Sequence, residues 1–136
     1  MYKSITTNLM VNSVDKAIKF YKDVLGFEVP VTVPGKNNEF QFAILSKDNF
    51  SLMLQEKSNL IEEYPVLQTD RVQPSITIYI AVDNLDSLYE EIKSKHPINT
   101  EMHTSFYGAR EFAVIDIDGY VLTFTDFKEM YDKIIK

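Results

Sequence analysis

The sequence predicts an α+β fold built from two copies of a βαβββ module. Two internal matches and one alternation carry that prediction. Residues 41–55, QFAILSKDNFSLMLQ, match residues 111–125, EFAVIDIDGYVLTFT, at an offset of 70, with Phe, Ala, Asp and Leu identical at matched positions. Residues 11–22, VNSVDKAIKFYK, match residues 82–93, VDNLDSLYEEIK, at an offset of 71. A recurrence in both order and spacing marks a duplicated unit. Within the first pair of segments, apolar and polar side chains alternate on either side of a short polar turn, the pattern of a β-hairpin.

Each element follows from local chemistry. In the first half the pattern predicts strand 3–11, helix 14–25, strand 26–34, strand 39–46 and strand 49–55. Val14, Ala17, Ile18, Tyr21 and Val24 recur at helical spacing, Ser13 suits the N-cap, and Gly26 suits a left-handed stop. In the second half it predicts strand 74–82, helix 85–95, strand 98–105, strand 109–116 and strand 120–126. Leu85, Leu88, Tyr89 and Ile92 form the helical series, Asn84 stands at the N-cap, and Pro97 blocks extension. The chain is read as one domain, 1–136: module one 1–55, a linker 56–73 that can hold a helical turn, module two 74–126, and a terminal helix 127–136.

The bulk numbers fit this reading. A chain of 136 residues with 45% apolar and 25% charged side chains can bury a full core. It has no cysteine, hence no disulfide, thiolate ligand or thiol nucleophile, which suits a reducing cytoplasm. No run approaches a membrane span or a signal peptide. The net charge of −6 disfavours nucleic acid and anionic membranes and mildly favours cationic ligands. Two histidines leave little material for a His-rich metal site.

Alternation assigns faces. Ile76, Ile78, Ile80 and Val82 turn to the helix side, as do Leu9 and Val11, although Thr7 interrupts that series. Thr77, Tyr79 and Ala81, and likewise Thr6, Asn8 and Met10, take the opposite face. Asp116-Ile117-Asp118-Gly119 suits a type I turn with Gly119 left-handed, which pairs Asp116 with Tyr120. Phe112 then opposes Phe124 and Val114 opposes Leu122 under the helix. Glu111, Ala113 and Ile115 face away with Val121, Thr123 and Thr125. The repeat transfers this to Gln41, Ala43, Ser51, Met53 and Gln55. A face of Thr, Tyr, Asn, Met, Gln and Glu is too polar for a dry core and suits a ligand cleft.

Three stretches carry a family resemblance. VNSVDKAIKFYKDVLGFEV resembles the opening of glyoxalase/bleomycin-resistance proteins, where a strand leads into a helix ending FYxxxLGF. IYIAVDNLDSLYEEIK resembles the start of their second module. YGAREFAVIDIDGYVLTF resembles their closing hairpin, GxxEFxxxDPDGxxLxF, with Ile117 where proline is usual. The resemblance implies a U-shaped mixed sheet around a cleft with the helices outside, often completed across a homodimer. It also implies metal-ligand places at Thr6, Met53, Thr77 and Thr123. Hydroxyls and a thioether without imidazole or carboxylate partners hold divalent metals poorly, so neither a metal nor another cofactor is expected.

The candidate ligand-binding residues are therefore Asn8, Met53, Thr77, Tyr79, Tyr107, Glu111 and Thr123. Glu111 could instead serve an ion pair with Arg71 or Arg110, or a hydrogen bond to Tyr79. Arg110 itself should turn to the helix side. Phe106 and Tyr107 are aromatics of a loop near the closing hairpin. His96 suits a helix end. Glu101 and His103 stand two apart on one strand, an incomplete metal pair. The expected function is a metal-free, non-catalytic trap for a small cationic or aromatic organic molecule, such as an antibiotic. The alternative is a glyoxalase-like lyase, isomerase or dioxygenase with atypical or absent metal ligands.

Overall fold

A ten-residue helix set between the first two of four strands forms the plan of the first half, and the second half repeats that plan with a nine-residue helix. The computed structural model describes residues 1–127. The chain divides into two compact units, Met1–Gln73 and Pro74–Lys136. The first contains β1 (Thr7–Val11), α1 (Val14–Asp23), β2 (Glu28–Pro34), β3 (Phe40–Lys47), β4 (Phe50–Glu56), α2 (Lys57–Glu63) and a 3-10 turn at Pro65–Leu67. The second contains β5 (Thr77–Ala81), α3 (Leu85–Lys93), β6 (Thr100–Thr104), β7 (Arg110–Ile115) and β8 (Val121–Thr125). Residues 128–136 of the expected terminal helix lie outside the described residues.

Each unit is one mixed four-stranded sheet, in the order β1-β4-β3-β2 and β5-β8-β7-β6. In both, the first strand pairs in parallel with the last, and the remaining pairs are antiparallel. The two expected βαβββ modules are thus present. Several strands are shorter than alternation alone suggests. β1 begins at Thr7 rather than at residue 3, because residues 1–6 gain no ladder partner. This also accounts for Thr7, which stands exposed at the first rung, ahead of the buried Leu9 and Val11. β5 begins at Thr77, past Pro74, and Ile76 remains 44% exposed instead of joining the helix-side series.

In the first unit, α1 lies against β3 and β4. Val14, Ala17, Phe20 and Tyr21 are its buried residues, and Leu9, Val11, Ala43, Leu45 and Leu54 are among the buried residues of the strands. Tyr21 takes Phe20 and Phe27 edge-on, with centroids 5.1 and 5.7 Å away. The helix starts where Ser13 Oγ accepts the Lys16 N–H at 3.1 Å. It ends where the Gly26 and Phe27 N–H groups reach back to the Lys22 and Tyr21 carbonyls. Gly26 has φ +75°, the left-handed stop its residue type allows. In the second unit Leu85 and Ile92 of α3 are buried. Tyr89 of the same helix meets the Phe112 ring edge-on at 5.0 Å. Asn84 occupies the N-cap position, but its side chain makes no capping hydrogen bond, contrary to expectation.

The closing hairpin has the expected register. Phe112 opposes Phe124, Val114 opposes Leu122 and Glu111 opposes Thr125. Asp116 binds Tyr120 through its backbone N–H, and its carboxylate accepts the N–H groups of Asp118 and Tyr120, both at 2.9 Å. Gly119 takes φ +99°. The first hairpin departs from the repeat. Lys47 opposes Phe50, so only Asp48 and Asn49 form the turn, with Asp48 at φ +54°. A two-residue turn moves β3 by one place against β4, and a one-place slip exchanges faces. Ala43 therefore opposes Leu54 and is buried on the helix side, while Phe42 and Ile44 stand on the other face with Gln55 and Met53. Gln41 escapes this exchange. Val33 pairs with Phe42 and Pro34 with Phe40, so Gln41 is the extra residue of a bulge and rejoins Gln55.

Candidate functional site

The helix-distal face of the second sheet converges on one carboxylate. Tyr79 opposes Thr123, Thr123 opposes Ala113, Glu111 opposes Thr125, and His103 opposes Glu111. Cross-strand partners share a face, so these side chains form a band across all four strands. Thr123 and Ala113 are small, which leaves the long Tyr79 room to reach over β8. Its hydroxyl donates to Glu111 Oε2 at 2.9 Å. Tyr107 donates to the same oxygen at 2.6 Å. Each phenol has one proton, so the 3.1 Å approach of the two hydroxyls follows from their shared acceptor. Hydrogen bonds to an ionised oxygen are the strong kind.

Tyr107 is held in place by its loop. Ser105 N–H donates to the Ala109 carbonyl, Ala109 N–H returns to Ser105 Oγ, and Gly108 turns the chain at φ +87°. Phe106 meets Tyr107 edge-on at 4.9 Å and is fully exposed, and Phe127 lies 5.4 Å from the Tyr107 ring. Glu111 retains 12% of its side-chain exposure, so its charge is mostly removed from water. Its second oxygen, Oε1, faces His103 Nε2 at 3.9 Å. His103 Nδ1 lies 2.8 Å from the Glu101 carbonyl. A carbonyl can only accept, so Nδ1 carries the proton and Nε2 is the nitrogen turned toward Glu111. Tyr79 is pushed above the ordinary tyrosine range. Loss of water around its hydroxyl is the main cause; Thr125 opposes the shift, and Tyr107 and Glu111 add to it.

Of the residues singled out from sequence, the fold brings Tyr79, Tyr107 and Glu111 into direct contact and places Thr123 beside Tyr79. Thr77 lies two residues earlier on β5, exposed, opposite Val121 and outside the hydrogen-bonded group. Arg110 turns to the helix side as expected and forms a two-pronged pair with Asp86 of α3 at 2.9 and 3.1 Å. That guanidinium holds the Asp86 carboxyl below its ordinary range, chiefly by hydrogen bonding. His96 ties the end of α3 to β7 through the Ile115 carbonyl at 2.9 Å. Glu101 and His103 do not share a face. Thr100 pairs with Ala113 and His103 with Glu111, so a bulge separates them, and Glu101 receives the Tyr89 hydroxyl on the helix side.

Asn8 and Met53 belong to the first unit. They oppose each other across β1 and β4, as Tyr79 and Thr123 do in the second. Asn8 Nδ2 donates to Gln55 Oε1 at 2.8 Å. Gln55 continues to Asn59 Oδ1 at 2.6 Å and Glu63 Oε1 at 3.2 Å, and Asn59 reaches Gln41 Oε1 at 3.2 Å. Asn59 and Glu63 were absent from the sequence-derived set. They stand on α2 within the stretch read as a linker, and no strand alternation marks them. Among the described residues no three His, Cys, Asp or Glu side chains cluster as a metal site. The places that resemblance assigns to metal ligands carry Thr6, Met53, Thr77 and Thr123, a donor set that does not fit a divalent first-row ion. No helix among the described residues is long and apolar enough to cross a membrane.

Known proteins agree with this architecture. The chain is 30% identical over 126 residues to a bleomycin resistance protein of Geobacillus stearothermophilus, covering 85% of this chain and 90% of the relative, and equally to one of Staphylococcus aureus. The crystal structure of lactoylglutathione lyase from Agrobacterium tumefaciens superposes with a TM-score of 0.73 at 17% identity, covering 93% of this chain and 95% of that one. The crystal structure of TioX from Micromonospora sp. ML1 gives a TM-score of 0.68 at 16% identity, covering 91% and 98%. At such identities the two structures establish a shared fold and no shared chemistry. The profile of the Glyoxalase/Bleomycin resistance protein/Dioxygenase superfamily matches residues 4–124, and the chain belongs to that superfamily.

Proposed function

We propose that this protein binds a small cationic, aromatic organic molecule and sequesters it without a metal and without chemical conversion. The observation that carries the reading is Glu111, a carboxylate largely withdrawn from water and fixed by two phenols. A partly desolvated anion attracts a cation more strongly than one in bulk water. The phenols orient Oε2, while Oε1 keeps lone pairs for a ligand. The faces of Tyr79 and Tyr107, with Phe106 beside them, offer rings on which a cation or a planar group can rest. Thr77 and Thr123 of the same sheet supply further polar contacts, and Asn8 and Met53 offer polar and soft contacts on the matching face of the first unit. The relatives named bleomycin resistance proteins support a ligand of this kind.

Catalysis is the weaker reading for this donor set. Both phenolic protons already point at one oxygen of the Glu111 carboxylate, and threonine hydroxyls and a thioether at the places that resemblance assigns to metal ligands hold a Lewis-acidic metal poorly. The test is calorimetric titration with a cationic glycopeptide antibiotic of the bleomycin type. Binding to the native chain and at least a tenfold loss in Glu111→Gln, with the compound recovered intact, is the expected result. Recovery of a modified compound, or equal affinity in the variant, overturns the proposal. A homodimer in the cytoplasm completes this reading, and sedimentation at the 15.8 kDa mass of a single chain would reject the dimer.

A further inference from the structure

We propose that the first unit carries a recognition site of its own, a concavity shaped for a planar amidinium or guanidinium cation. The concavity has a volume of about 520 Å³ and is lined by Gln41, Phe42, Gln55, Asn59, Glu62 and Glu63. That volume lies within the range of small-molecule sites. It uses none of the side chains around Glu111.

The site is organised by a chain of amides with one polarity. Glu63 can only accept, so its contact at 3.2 Å turns the Gln55 NH₂ toward it. The same NH₂ meets Asn59 Oδ1, which turns the Asn59 NH₂ to Gln41 Oε1. At the other end Gln55 Oε1 accepts a hydrogen bond from the Asn8 NH₂. Reversing Asn8, Gln55 or Asn59 would set two oxygens against each other, and reversing Gln41 would set its NH₂ against that of Asn59. The fixed direction has a cost: Asn8 Oδ1 is buried without a hydrogen-bond partner. Gln55, at the centre, is 6% exposed and cannot relax toward solvent.

With the amides committed to one another, the groups left for a ligand are mostly acceptors. Glu63 keeps Oε2, and Glu62 adds a second carboxylate on the same helix. Gln41 offers one NH₂. A ligand matching this set is rich in N–H donors, positive and flat: a two-pronged N–H fork against carboxylate, with its plane against the half-buried Phe42 ring. Phe42 reaches this face only because the two-residue turn of the first hairpin shifts β3.

The experiment titrates the full, ¹⁵N-labelled chain with benzamidinium and reads the side-chain amide signals of Gln41, Gln55 and Asn59. Saturable shifts at these signals are expected, about tenfold weaker with neutral benzamide. Glu62→Gln removes charge but no bond of the amide chain, and should weaken binding severalfold; Glu63→Gln should weaken it further. Glu111→Gln should leave these three signals responding as before. Equal binding of benzamide, undiminished binding in both Glu62→Gln and Glu63→Gln, or no shift at the three amides overturns the proposal. Loss of the shifts in Glu111→Gln would return the site to the one already proposed.

Discussion

At the scale of single residues, burial and partner count decide which polar groups matter. Tyr79 shows this. The residue is 41% exposed, yet its hydroxyl is enclosed by Tyr107 and Glu111, and its ionisation is pushed above the ordinary value of 10.0. Below that value the phenol is protonated in both folded and unfolded chains, so its contribution to stability is intact. As pH rises beyond it, the unfolded chain ionises first, and the contribution is lost progressively through the folded value. An ultraviolet titration of tyrosinate should show a late-ionising step to which Tyr79 contributes. Tyr79→Phe should shrink that step by one tyrosine, and an unchanged amplitude would show that Tyr79 ionises with the exposed phenols. The Tyr79–Glu111 bond was one of the alternatives open at the level of sequence, because alternation could place both side chains on one face. Tyr107 was legible as an aromatic loop residue only. Its return to Glu111 depends on the Ser105–Ala109 turn and on Gly108.

At the scale of elements, the two modules differ where their ends are fastened. Ser13 caps α1 through its side chain, whereas Asn84 in the matching place makes no such bond. Ser13→Ala should therefore cost about 0.5–2 kcal/mol in denaturant unfolding, and Asn84→Ala clearly less. Equal losses would show that the cap geometry is not what distinguishes them. The hairpins differ in the same way. In the second, a four-residue turn fastened by the Asp116 carboxylate makes the register readable from sequence. In the first, SKDNF held no glycine to announce its turn, and Asp48 took the left-handed position instead. The expectation for Ala43 failed for that reason, and that for Gln41 survived only through a bulge in the opposite direction. Elsewhere the bulge in β6 separates Glu101 from His103, which strict alternation would keep together.

At the scale of the whole molecule, charge sets how ligands arrive. A net charge of −6 draws cations toward the chain and is screened by salt. Affinity for a cationic ligand should fall as ionic strength rises from about 0.01 to 0.15 M, where the Debye length shortens from roughly 30 to 8 Å. Glu111→Gln should flatten that dependence. Affinity independent of salt would mean that apolar burial, not charge, governs binding. Each compact unit carries its own sheet and its own polar band, with phenols and a carboxylate in one and amides in the other. Duplication kept the backbone plan and left the distal faces free to diverge, because only the helix side must remain apolar to hold a core.

The sequence alone determined the two modules, their helices and the entire closing register, because these rest on short-range periodicity and turn chemistry. Tertiary structure alone decided which polar side chains meet. The Glu111 group joins β5, β7 and a loop, and the amide chain joins β1, β3, β4 and α2. Contacts of that kind depend on single-residue bulges and turn lengths, each of which shifts a face without changing the apolar pattern that sequence displays.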